Sequence, residues 1–114
     1  CPAAEGVLNT FAPEPRDKPE AKDAVAEFRK AGYEPEAYTL YSYSAIQVIA
    51  QGIAKTGSAD DAQKVAETLH KDGPWKTVLG DTAFDAKGDL TRIDYVVYIW
   101  PKDETGNINY VELK

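Results

Sequence analysis

An α/β fold, three helices followed by strands and a hairpin, is what this 114-residue sequence predicts. Apolar residues recur at helical spacing between Pro19 and Lys71. Gly73-Pro74 interrupts that pattern, and from Trp75 onward the period becomes that of strands. With 43 % apolar residues, a chain of this length is sized for one domain around one core.

In chain order, Val7, Leu8 and Phe11 make Gly6 to Phe11 a short strand. Pro13 and Pro15, which cannot donate to a ladder, then force an extended connection. Asp17 and Pro19 open the first helix, Ala21, Ala24, Val25 and Phe28 share one face of it, and Gly32 ends it. Tyr33 to Glu36 is a connector in which Pro35 keeps Glu34 out of helical geometry. The second helix, about Leu40 to Lys55, carries Tyr41, Ala45, Val48 and Ile49 on one face. Ile46, Ala50 and Ile53 widen that face enough to imply burial on more than one side.

Gly57 closes the second helix, and Ser58-Ala-Asp-Asp61 resembles a capping box with Asp in place of Glu, opening a third helix. Its core face is Ala62, Val65, Ala66 and Leu69. Beyond Gly73-Pro74, Thr77 to Leu79 and Thr82 to Phe84 are short strand pieces around Gly80-Asp81. Asp85 to Asp89 is a turn in which Gly88 is free to take positive φ. Asp94 to Trp100 is the strongest strand, apolar enough for burial on both faces, and after a turn Ile108 to Leu113 alternates as a final strand.

Nineteen acidic against thirteen basic residues leave a formal charge of -6, which repels phosphate backbones and anionic lipid surfaces. Nucleic acid is therefore not an expected partner. No window approaches the roughly 18 to 20 apolar residues of a membrane span, so the chain reads as soluble. A single cysteine and a single histidine make neither an internal disulfide nor a His-rich metal site. Cys1 in first position fits the lipid-modified cysteine of mature bacterial lipoproteins, but a chain cut at an arbitrary place is the favoured account.

Three constellations invite chemistry. Asp81, Asp85 and Asp89 with Gly88 suggest a calcium loop, yet the acids fall four apart where an EF-hand needs ligands at alternate positions and a distal glutamate. A solvated turn is the better account, and no metal or cofactor is expected. His70 stands beside Lys71 at the end of the third helix, where a cation already has a structural reason to be. Nucleophile and phosphate-loop motifs are absent, so no catalytic residue is assigned and an enzyme is not expected. Tyr38, Tyr41 and Tyr43 gather where the second helix begins. A tyrosine ring packs on aliphatic ligands while its hydroxyl orients a polar group, although core packing alone accounts for all three.

Ala37-Tyr-Thr-Leu-Tyr-Ser-Tyr-Ser-Ala-Ile-Gln47, Gly80-Asp-Thr-Ala-Phe-Asp-Ala-Lys-Gly-Asp-Leu90 and Tyr95-Val-Val-Tyr-Ile-Trp100 resemble, in order and separation, the C-terminal third of the periplasmic leucine/isoleucine/valine-binding protein family. Ala4 to Phe11 and Phe28 to Pro35 resemble the same family, so the likeness spans nearly the whole chain.

The resemblance implies part of a two-lobed type I periplasmic-binding-protein fold: an extracytoplasmic receptor that closes about a hinge on an amino acid and docks to an ABC permease. Residues 1–12 would be a second-lobe strand and hinge crossing, 13–95 part of the first lobe, and 96–114 the return to the second lobe. Tyr38 matches a position where the family places an aromatic against the ligand's side chain, whereas Tyr41 and Tyr43 remain packing residues. The groups that hold the ligand's ammonium and carboxylate belong to the family's earlier two thirds. Hence the expectation is no ligand binding by this chain alone, and either a homo-oligomer or association with the missing part, because apolar helix faces would stand uncovered. Rival readings are a same-fold receptor for an amide or an aromatic acid, and a Cys1-anchored lipoprotein or interaction domain.

Overall fold

The computed structural model describes residues 2–36, 38–92 and 94–114; Cys1, the candidate lipidation site, lies outside them. In chain order the elements are β1 (Leu8–Phe11), α1 (Lys22–Lys30), α2 (Thr39–Thr56), α3 (Ala62–Lys71), β2 (Trp75–Thr77), β3 (Gly80–Thr82), β4 (Val96–Ile99) and β5 (Val111–Glu112). Short 3-10 turns precede β1 and α1, at Pro2–Ala4, Pro15–Asp17 and Pro19–Ala21. The chain forms two compact units: Glu14–Ile93, and Cys1–Pro13 with Asp94–Lys114.

In the unit Glu14–Ile93 the expected extended connection ends sooner than Pro15. The Glu14 carboxylate accepts from the Arg16 backbone N–H at 3.2 Å, winding Pro15–Asp17 into a 3-10 turn that buries Pro15. Pro19 begins a second such turn that runs into α1, and Gly32, at φ +80°, releases the chain just past that helix. Ala21 and Val25 are buried with Leu40 and Val78, and Ala24, Phe28 and Leu79 pack around them. This face of α1 is the one that helical spacing predicts.

Helix α2 departs from expectation. Its buried line is Leu40, Ser44, Val48 and Gly52, whereas Ala45, Ile46, Ile49 and Ala50 face outward. Burial is on one side only. The reason is close approach: Gly52 lets α3 come so near that an added Cβ would lie 2.6 Å from Leu69 Cδ2. Small residues mark such a contact, and a hydrophobicity pattern overlooks them.

Helix α3 is capped by Asp61, whose carboxylate accepts from the Lys64 N–H at 3.0 Å. Ser58, the expected cap, instead accepts from the Asp60 N–H in the preceding turn. Val65 is buried, Thr68 and Leu69 are half-buried, and the expected core residues Ala62 and Ala66 are exposed. Thr68 accepts a hydroxyl bond from Thr56 of α2 at 3.1 Å.

The hairpin β2–β3 pairs Trp75 with Thr82 and Thr77 with Gly80, so its turn is Val78-Leu79, two residues earlier than expected. Apolar residues occupy this turn because Val78 plugs the core and its N–H donates to Gln47 Oε1 of α2 at 2.9 Å. Gln51 Nε2 also donates, to the Lys76 carbonyl, which fastens β2 to α2. Asp85 Oδ1 accepts three backbone N–H bonds, from Lys87, Gly88 and Asp89, each at 2.9 Å, so the aspartate organises its own turn. The His70 ring stacks on Phe84, at 6.4 Å between centroids.

The other unit is an antiparallel sheet of order β1-β4-β5. Leu8 pairs with Ile99 and Phe11 with Val96, which sets Asn9 and Tyr98 on one face. On that face Tyr98 and Trp100 pack against Tyr110, and the indole N–H of Trp100 donates to Asn9 Oδ1 at 2.8 Å. The opposite face holds exposed Leu8, Val97, Val111 and Leu113. The strand expected to be buried on both faces is therefore buried on one. The final strand is reduced to Val111–Glu112, with Ile108 in an isolated bridge to Lys102. Asp103 Oδ1 organises a second self-bonded turn by accepting from the Thr105 and Asn107 N–H groups.

Candidate functional site

Tyr38 immediately precedes the first turn of α2, in helical backbone at φ −80° and ψ −5°, and is 65 % exposed. Its carbonyl accepts the Ser42 N–H at 2.8 Å, so its backbone is already part of the helix. What fixes its place is the connector before it. Pro35 is fully buried, the Tyr33 hydroxyl pairs with the Thr39 hydroxyl at 3.0 Å, and the Tyr33 ring packs on Phe28 at 5.8 Å. Tyr38 thus stands at the head of α2 with most of its surface in solvent.

The other two tyrosines differ. Tyr41 is half-buried; Tyr43 meets Phe28 edge-on at 6.1 Å and keeps much of its ring in solvent. Tyr43 and Phe28 line an open groove of about 560 Å³ rimmed by Glu20, Asp23 and Glu27, and Tyr38 is not part of it.

Sequence pattern gives no hint of the ion-pair chain in the same unit. Arg16 bonds Glu14 through Nε at 2.7 Å and Nη2 at 2.9 Å, and Glu34 through Nη1 at 2.7 Å. Arg29 completes it with a two-pronged bond to Glu34, Nε at 2.7 Å and Nη2 at 2.9 Å. These hydrogen bonds, from Arg29 first and then Arg16, pull the Glu34 carboxyl from 4.5 down to about 2. Because the folded value lies below the unfolded one, the pairing contributes fully above pH 4.5 and is lost as pH falls through about 2. A carboxyl titration by NMR should give Glu34 a midpoint near 2, and Glu34→Gln should flatten the acid limb of stability in that window; a midpoint near 4.5 would refute the pairing in solution.

Among the described residues no group of three or more His, Cys, Asp or Glu is placed to hold a metal ion, and no helix is long and apolar enough to cross a membrane.

The backbone superposes on part of a leucine binding protein LivK from Thermotoga maritima with a TM-score of 0.70 and 31 % identity, covering 96 % of this chain and 31 % of that one. It likewise matches an ABC transporter substrate-binding protein from Desulfitobacterium hafniense in complex with Leu, at TM-score 0.68 and 27 % identity, covering 95 % and 32 %. The α/β fold is thus that of part of a periplasmic binding protein. The family model described as periplasmic binding protein matches residues 1–104, and the chain belongs to that family. It is 51 % identical over 111 residues to Leu/Ile/Val-binding protein homolog 1 of Brucella suis, an alignment that takes 97 % of this chain and 30 % of that protein. The chain spans about a third of the length of the relatives it matches.

Proposed function

We propose that this chain is the C-terminal part of an extracytoplasmic receptor that binds an amino acid, a branched-chain one, for uptake through an ABC permease, with no catalytic role. The observation that carries the reading is the 51 % identity to a Leu/Ile/Val-binding protein homolog across 97 % of the chain; the leucine bound to the Desulfitobacterium relative agrees with it. Residues 1–12 and 96–114 are assigned to one lobe and 13–95 to the other, in keeping with two compact units that the chain passes between near Pro13 and Asp94. Tyr38 supplies an aromatic wall for the ligand's side chain. The ammonium and carboxylate partners belong to the portion of the relatives that has no counterpart here. Without them the zwitterion loses charge-assisted hydrogen bonds worth roughly 1.5 to 3 kcal/mol each.

Calorimetric titration with leucine should therefore show no measurable binding by the isolated chain. Joined to the part of the Brucella suis relative that it lacks, the chain should bind leucine, and Tyr38→Ala should weaken that binding roughly 10- to 100-fold. Micromolar binding by the isolated chain, or a Tyr38→Ala receptor of unchanged affinity, would refute the assignment.

A further inference from the structure

Glu34 is held more firmly than its setting requires. It lies on the surface, in the connector between α1 and α2, yet its carboxylate accepts three charge-assisted hydrogen bonds: Oε1 from Arg16 Nη1 at 2.7 Å and from Arg29 Nη2 at 2.9 Å, and Oε2 from Arg29 Nε at 2.7 Å. The two arginines come from different places. Arg29 belongs to the last turn of α1, and Arg16 to the turn Pro15–Asp17, where Glu14 grips its other nitrogens, Nε at 2.7 Å and Nη2 at 2.9 Å. Exposed ion pairs contribute little to stability. Guanidinium forks fix position and direction, because each carboxylate oxygen must meet its own N–H.

Hydrogen bonds carry this anchorage forward to the head of α2. The Glu34 carbonyl accepts the Glu36 N–H at 2.9 Å, the Glu36 carbonyl accepts the Thr39 N–H at 3.0 Å, and the Tyr38 carbonyl accepts the Ser42 N–H at 2.8 Å, so the backbone is tied on both sides of Tyr38. Buried Pro35 fixes one point of the segment but not the rotation about that point. The rotation is fixed beside it, by the Glu34 carboxylate gripped from two elements and by the Tyr33 and Thr39 hydroxyls paired at 3.0 Å. We infer that Glu34 is a positioning residue for Tyr38: with Arg16 and Arg29 it sets the place of the ring that walls the ligand's side chain, and so acts on affinity through Tyr38. This rests on the function proposed above. A wall that the ligand must first order weakens binding, whereas one already in place does not.

The test measures leucine binding by calorimetry in the receptor made by joining this chain to the part of the Brucella suis relative that it lacks, for Tyr38→Ala, for Glu34→Gln and for the two together. Glu34→Gln should weaken binding about 3- to 10-fold. In the Tyr38→Ala background it should change nothing further, because a residue that acts through Tyr38 has no effect once that ring is gone. A role confined to stability lowers the melting temperature and leaves the affinity of the folded receptor alone, so the two roles are read separately. Should Glu34→Gln fail to fold, Arg29→Gln, which removes two of the three hydrogen bonds and leaves Arg16 in place, is read in the same cycle. Unchanged affinity in the Glu34 variant beside a weakened Tyr38→Ala receptor, or losses that multiply in the double variant, overturns this inference and leaves the role of Tyr38 standing. Tyr38→Ala without effect, or no leucine binding by the joined receptor, overturns the functional reading and this inference with it.

Discussion

Replacing Trp75 with alanine is expected to cost about 3 to 5 kcal/mol of unfolding free energy. The ring is 5 % exposed, and its indole N–H donates to the Leu69 carbonyl at 3.0 Å. Leu69 stands in the last turn of α3, where carbonyls lack intrahelical donors, so the indole satisfies an acceptor that the helix cannot. The Lys55 ammonium of α2 lies 5.8 Å from the ring centroid, so one side chain joins the end of α3, the flank of α2 and the start of the hairpin. Urea denaturation followed by circular dichroism should show the loss, and Trp75→Phe should recover most of the packing but not the hydrogen bond. A cost below about 1 kcal/mol for the alanine variant would mean that this junction is not formed in solution.

Leu40→Ala should cost about 2 to 5 kcal/mol, a large share of the total stability of a domain this size. Leu40 is fully buried against Ala21, Val25 and Val78, so truncation opens a void between three separate segments. Ile46→Ala, six residues along the same helix, should change stability by only about 0.5 kcal/mol in this chain, because Ile46 faces water. The contrast separates the observed face of α2 from the expected one. Comparable losses at the two positions would place Ile46 in a core and overturn the orientation described above.

That pair of residues shows what the sequence reveals and what it hides. The three helices, the glycine stops and the self-bonded turn at Asp85 are legible because each is set by neighbours a few residues away. The buried side of α2 is not, because Ser44 and Gly52 mark a close contact by being small, while apolar Ile46 and Ile49 face water. The hairpin turn departs from the expected Gly80-Asp81 for a related reason: Val78 and Leu79 look like strand interior, and it is the reach of Gln47 from α2 that holds them in a turn. Tyr38 is singled out by resemblance alone, since periodicity treats it like Tyr41 and Tyr43. The Arg16–Glu34 bond spans 18 positions and has no local pattern to betray it.

The sheet β1-β4-β5 has a consequence for the newborn chain. Leu8 finds its partner only at Ile99, after the whole of Glu14–Ile93, about 80 residues, has been made. At roughly 5 to 20 residues per second that interval lasts about 4 to 16 s. Throughout it β1 lacks its β4 partner, and a strand edge without its partner is open to pairing with other chains. Once Glu14–Ile93 has folded, the two ends no longer face the full entropy of closing a long flexible loop, about 4 kcal/mol for this length. The compactness of the middle thus decides how quickly β1 meets β4.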